Sequence, residues 1–117
     1  MIRAVVFDFD GVIANSEPLH FRAYRDVLAA HDIHLSEAAY YDRYLGYDDV
    51  GAFRAIASDA GIVLDDAAIE ALVARKAVTL EALERDTSVL FPGVRDAIAR
   101  MAAVWPTAIA SGALRHE

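Results

Sequence analysis

Ala4-Val5-Val6-Phe7-Asp8-Phe9-Asp10-Gly11 is the stretch on which the fold turns. Its first four residues form a short apolar, β-branched run, which predicts a buried strand. The run breaks into two carboxylates one residue apart and a glycine that tolerates backbone angles other residues avoid, which predicts a polar loop. In open α/β sheets the carboxyl end of a strand is where ligands bind, so Asp8 and Asp10 are the leading candidate functional residues. An ionised carboxylate at Asp8 can attack phosphorus or ligate a hard cation. Asp10 can supply or accept a proton at an attacking or leaving oxygen. Gly11 would let backbone amides approach a phosphate group. The plain alternative is that both acids cap a turn before a helix.

Working outward, Ser16-Glu17-Pro18 is a helix-start signature, with a capping hydroxyl and an early proline whose missing N–H is harmless. Leu19, Tyr24, Val27 and Leu28 then fall on one helical face. The spacing predicts a second helix from Ser36 to Gly46, with Tyr40, Tyr41, Tyr44 and Leu45 supplying its contacts. A third follows, capped by Asp48 or Asp49, with Val50, Phe53 and Ile56 facing inward and Gly61 placed to end it. Asp65 and Asp66 open a longer helix that carries Ile69, Leu72, Val73, Leu80 and Leu83 and runs to about Asp86.

Phe91-Pro92-Gly93 breaks the helical period and marks a return from one structural unit to another. A helix over about Val94 to Ala103, with Val94, Ala97, Ile98 and Met101 on its apolar side, leads to Thr107-Ala108-Ile109-Ala110, which reads as a second buried strand. Ser111 and Gly112 follow as a loop, and Ala113 to Glu117 read as the first turn of another helix. Strand, helical insert, helix, strand is the pattern of an α/β fold with a parallel sheet. The expected division is residues 1–15 and 89–117 for a partial α/β core and 16–88 for the helical insert.

The string Ala4 to Ala14, continued by Asn15-Ser16-Glu17-Pro18-Leu19-His20, resembles the first motif of the haloacid dehalogenase superfamily, in its β-phosphoglucomutase and phosphoglycolate-phosphatase-like subgroup. Leu90 to Val94 resembles the return from that family's helical cap, and Ala108 to Ala113 resembles its second motif. The resemblance implies a partial Rossmann-like core with an inserted all-helical cap. It also implies a Mg²⁺-dependent phosphatase acting on a small phosphorylated metabolite, such as a sugar phosphate, through an aspartyl-phosphate. On that basis Asp8 corresponds to the nucleophile and a Mg²⁺ ligand. Asp10 corresponds to the general acid and base, with its backbone carbonyl on the metal, and its presence favours phosphoryl chemistry over dehalogenation. Ser111, with Gly112 beside it, corresponds to the phosphate-binding hydroxyl. His20 aligns with a histidine at the core–cap hinge, and Lys76 aligns with a cap lysine that reaches the substrate phosphate. Gly46 would on this reading keep a cap loop close to the substrate. The ordinary roles of these three are a surface histidine, a solvated helix lysine and a helix C-cap. Where the mutase branch carries a basic residue after that glycine, this chain has Asp48 and Asp49, so the resemblance favours a phosphatase over a β-phosphoglucomutase-like phosphotransferase.

The family's third and fourth motifs, a basic residue and the acids completing the metal site, lie beyond the second motif. The expectation is therefore an N-terminal fragment, inactive alone, whose exposed strand edge pairs with a second copy or with a C-terminal half. A non-catalytic assembly module built on that edge is the competing class. A phosphoacceptor receiver domain fits less well, because it has no place for a large helical insert.

Composition bounds the rest. With 56% hydrophobic and 25% charged side chains and a mean hydropathy of +0.28, the 117 residues suit one folded unit and not a disordered chain. A net charge of −7 offers no general attraction to nucleic acid or anionic membrane. There is no cysteine, hence no thiolate metal site or thiol nucleophile, and a cytoplasmic setting is the default expectation.

Overall fold

The computed structural model describes residues 1–112, which form two compact units. One comprises Met1–Pro18 with the chain from Thr87 onward, and the other is Leu19–Asp86.

In the first unit, strand β1 (Val5–Asp8) pairs in parallel with β2 (Thr107–Ala110), Val5 opposite Thr107 and Asp8 opposite Ala110. Parallel neighbours need a crossover connection, and helix α5 (Val94–Ala102) precedes β2 as the pattern requires. After β1 the chain folds tightly on itself: the Phe9 carbonyl accepts the amides of Val12, Ile13 and Ala14, and the Gly11 amide donates to Ala14. Gly11 sits at φ +74, a left-handed angle that glycine adopts without a Cβ penalty. A clasp follows. Asn15 donates to the Val89 carbonyl at 2.6 Å and Phe91 donates to the Ile13 carbonyl at 3.0 Å, so the segments leaving and re-entering this unit are tied side by side. Gly93, at φ +78, completes the expected turn into α5.

Both strands were expected to be buried, and they are not. All four residues of β2 are exposed, Val6 and Ile109 to 64% and 58%, and no residue of α5 is buried. Two strands and one helix leave apolar faces uncovered, because a sheet is shielded only when elements pack on both sides.

The second unit has a core of its own. Helices α1 (Glu17–Ala29), α3 (Asp49–Asp59) and α4 (Asp66–Asp86) direct Tyr24, Leu28, Phe53, Ile56, Ile69 and Leu72 into one cluster. Phe53 and Leu28 are wholly buried. Truncating a phenylalanine in such a place costs about 3–5 kcal/mol. The Tyr24 ring meets Phe53 edge-on at 5.0 Å and Tyr40 at 5.6 Å. Such aromatic pairs add about 0.5–1.5 kcal/mol each beyond their buried area.

The local signals act largely as read. Asp48 caps α3 by accepting from the Gly51 amide at 2.8 Å, Asp65 accepts from the Ala68 amide at 2.8 Å, and Gly61 turns the chain at φ +73. Ser36 caps α2 (Glu37–Ala39), which widens directly into a π-helical turn over Tyr40–Tyr44. That turn buries Tyr40 and Tyr44. Three details differ from expectation. Leu45 and Val50 are exposed, and Gly46 is not in the left-handed conformation of a helix terminator, with open space where a Cβ would stand.

Candidate active site

The site in the first unit is built by strand register. Because Asp8 lies opposite Ala110 in a parallel pair, Asp8 and the Ser111-Gly112 loop leave the sheet at the same end, as neighbours on adjacent strands. The backbone alone therefore brings a carboxylate and a hydroxyl-bearing loop together. Asp8 is exposed, and its Oδ1 accepts the Phe9 amide at 2.7 Å. Asp10 is held by Ser16, whose buried hydroxyl donates to Oδ1 at 2.8 Å. Sequence reasoning assigned Ser16 to capping α1. Its contact with Asp10, six residues back, depends on the tight loop around Gly11 and carries no periodic signal.

The donor set at this strand end is all oxygen, which suits a hard cation such as Mg²⁺ and excludes a soft thiophile. Asp8 and Asp10 fit as two members of such a shell. Among the described residues no group of three or more His, Asp or Glu side chains is gathered for a metal.

The second unit holds a separate polar cluster. Lys76 of α4 is 2% exposed, against the expectation of a solvated lysine. Its ammonium lies 2.5 Å from Asp49 Oδ1, 3.0 Å from His20 Nδ1 and 4.4 Å from the centre of the Tyr24 ring. The Tyr24 hydroxyl donates to the same Asp49 oxygen. Sequence reasoning gave His20 no partner and singled out Asp49 as a helix cap and, with Asp48, as an acid where the mutase branch carries a base, but not as a partner of Lys76. The partners of Lys76 lie 27 and 56 positions away, so no local pattern announced them. Elsewhere in this unit Tyr44 donates to Asp59 at 2.5 Å, and burial, reinforced by that carboxylate, raises its phenol above the ordinary value of 10.0. Gly46 lies exposed in the turn after Tyr44.

The family model for haloacid dehalogenase-like hydrolases matches residues 2–117. The chain belongs to this family. The haloacid dehalogenase-like fold is also found in solved structures that the chain resembles at low identity. CbbY from Rhodobacter sphaeroides, crystallised with xylulose-1,5-bisphosphate, superposes with a TM-score of 0.75 at 23% identity, covering 99% of this chain and 53% of its own. A beta-phosphoglucomutase-like protein from Thermotoga maritima gives 0.74 at 24% identity, over 97% of this chain and 51% of its own. A predicted phosphoglycolate phosphatase from Haemophilus somnus gives 0.81 at 16% identity, over 97% and 53%. The haloacid dehalogenase-like chain thus spans about half the length of these structures. No curated protein matches it. Among the described residues, no helix is long and apolar enough to cross a membrane.

Proposed function

We propose that this chain carries the nucleophile half of a phosphatase that hydrolyses small phosphate monoesters, in a cytoplasmic setting. The carrying observation is the juxtaposition of Asp8 with the Ser111-Gly112 loop at one end of a parallel strand pair, with Asp10 two residues on. In this reading an Asp8 oxygen attacks phosphorus, the ester P–O bond breaks, and Asp10 gives its proton to the departing alkoxide. Water then attacks the aspartyl-phosphate and returns a proton to Asp10, releasing phosphate and restoring Asp8. Ser111 steadies the phosphoryl oxygens by hydrogen bonding, and the backbone near Gly11 approaches them closely. Asp8 and the Asp10 carbonyl would hold Mg²⁺, which when bound offsets the repulsion between an anionic nucleophile and an anionic ester. The Leu19–Asp86 unit, with His20, Gly46 and Lys76, acts as the cap that selects the substrate, a sugar phosphate or similar metabolite.

The test is phosphate release from an aryl phosphate with and without Mg²⁺, run beside Asp8→Asn, with intact mass read for a trapped phosphoryl adduct. Metal-dependent release and an adduct, both lost in Asp8→Asn, support the reading. Equal rates in the two proteins overturn the role of Asp8, and no transfer in either overturns the activity for this chain.

A further inference from the structure

Within the Leu19–Asp86 unit a recess of about 120 Å³ opens between the segment 33–35, the π-helical turn and the end of α3. Its apolar wall is formed by Ile33, Leu35, Ala39 and Ile56. Ile33, Leu35 and Ile56 also belong to the buried core, so that wall is fixed by the packing of the whole unit. Its polar rim is formed by Arg43, Tyr44 and Asp59. Asp59 is the last residue of α3, and Asp49, the partner of Lys76, is the first. A helix of 11 residues is about 16 Å long, so the recess is separate from the Lys76 cluster.

The rim carries charge that the protein itself leaves partly unspent. Tyr44 donates to Asp59 Oδ2 at 2.5 Å, and Arg43 reaches the same oxygen from 3.3 Å while its guanidinium lies 5.3 Å from the centre of the Tyr44 ring. Both hydrogen bonds fall on Oδ2, and among the described residues none falls on Oδ1. Arg43 commits one of its five N–H groups, in a long bond. The two side chains are 59% and 49% exposed for Arg43 and Asp59, so both remain open to a ligand. An anion coming to this rim is repelled by Asp59, and a cation is repelled by Arg43. A molecule that carries both charges close together meets each with its opposite and adds no net charge. Size narrows the choice further. A cavity of about 150 Å³ admits benzene, so this smaller recess suits a branched aliphatic group and not an indole.

We infer that this recess binds a free α-amino acid with a small branched side chain, its ammonium on Asp59 Oδ1, its carboxylate on Arg43 and its side chain against Ile33, Leu35 and Ile56. Tyr44 is a positioning residue in this site. Burial and Asp59 keep its phenol protonated, and the bond it donates occupies Oδ2 and leaves Oδ1 to the ligand. The inference does not rest on the phosphatase reading, because every residue it uses lies between Leu19 and Asp86 and binding is measured without turnover.

The experiment titrates L-valine into the 117-residue chain and follows the methyl signals of Ile33, Leu35 and Ile56 and the His34 ring, which lines the same recess, by NMR. Saturable shifts at these residues are expected in the millimolar range, as suits a ligand of about eight non-hydrogen atoms. Isovalerate, which lacks the ammonium, and isobutylamine, which lacks the carboxylate, should each bind at least about tenfold more weakly, because each forfeits a charge-assisted hydrogen bond. Valine should weaken by the same factor in Asp59→Asn and in Arg43→Gln, and Ala39→Leu, which extends a side chain into the recess, should abolish the shifts. Absence of a saturable shift with valine overturns the inference. Either half-ligand binding as tightly as valine overturns it too, and this comparison on the wild type decides even where a variant does not fold. Undiminished valine binding in folded Asp59→Asn or Arg43→Gln overturns it equally.

Discussion

Ser16 and Asp10 are joined by a 2.8 Å hydrogen bond between a buried hydroxyl and an exposed carboxylate at the candidate active site. The proposed general acid is thus held in one orientation by a residue that takes no part in bond making. Ser16→Ala should lower stability by about 0.5–1.5 kcal/mol, the usual net worth of such a bond, measured by urea unfolding of the wild type and variant. In an active enzyme it should also lower kcat while leaving KM nearly unchanged, and an unaltered kcat would remove Ser16 from the positioning role.

Asp10→Asn keeps the shape and the acceptor for Ser16 but cannot exchange a proton. Turnover should fall by about 10²–10⁴, the usual range for losing a general acid and base. The deficit should shrink for esters with acidic leaving groups, which need no proton on departure. A uniform loss across leaving groups, seen in a series of aryl phosphates, would contradict the acid role.

The pair Lys76 and Asp49 should respond unequally to truncation. Removing Asp49 strands an ammonium that is 3% exposed, whereas removing Lys76 leaves a carboxylate that is 30% exposed and still held by the Tyr24 hydroxyl. Breaking a buried pair by deleting one partner costs about 3–5 kcal/mol when the survivor cannot reach water. Asp49→Ala should therefore destabilise more than Lys76→Met, whose linear side chain refills the lysine's path. Chemical denaturation of both variants checks the order.

Tyr44 fixes an alkaline limit. Its phenol is raised above the ordinary value of 10.0, first by burial and then by Asp59, so the folded state binds its proton more tightly than the unfolded chain does. The stability this contributes is fully present below about pH 10 and is lost as pH rises through the folded value. Urea midpoints measured from neutral to strongly alkaline pH should fall above pH 10, and Tyr44→Phe should flatten that part of the curve.

Much of this architecture is legible in local chemistry. Asp48, Asp65 and Gly61 delimit helices by satisfying or ending short stretches of backbone, and these signals need only a few neighbours along the chain. The parallel strand pair follows from the order of apolar runs, and Asp8 and Asp10 are marked by their place after the first of them. What escapes is what the tertiary fold assembles from distant positions. Lys76 reads as a surface lysine because a helix of mixed sequence says nothing of Asp49 or His20. Ser16 reads as a helix cap because its alternative partner is reached only through a tight loop. The π-helical turn at Tyr40–Tyr44 is invisible for another reason: the same tyrosine spacing suits an ordinary helix. The strands are exposed although their composition is that of interior strands, because composition records what a surface needs and not whether the chain itself supplies it.

The bare faces of β2 and α5 have a calorimetric consequence. Heat taken up on melting comes chiefly from surface that leaves a packed interior, and in this chain the large interior belongs to Leu19–Asp86. A scanning calorimeter should record one cooperative peak whose enthalpy matches the length of that segment and falls short of the value for 117 residues. The melting temperature of this protein is then set mainly by its helical insert, and Asp8→Asn, at an exposed strand end, should leave it almost unmoved while changing everything proposed for its chemistry.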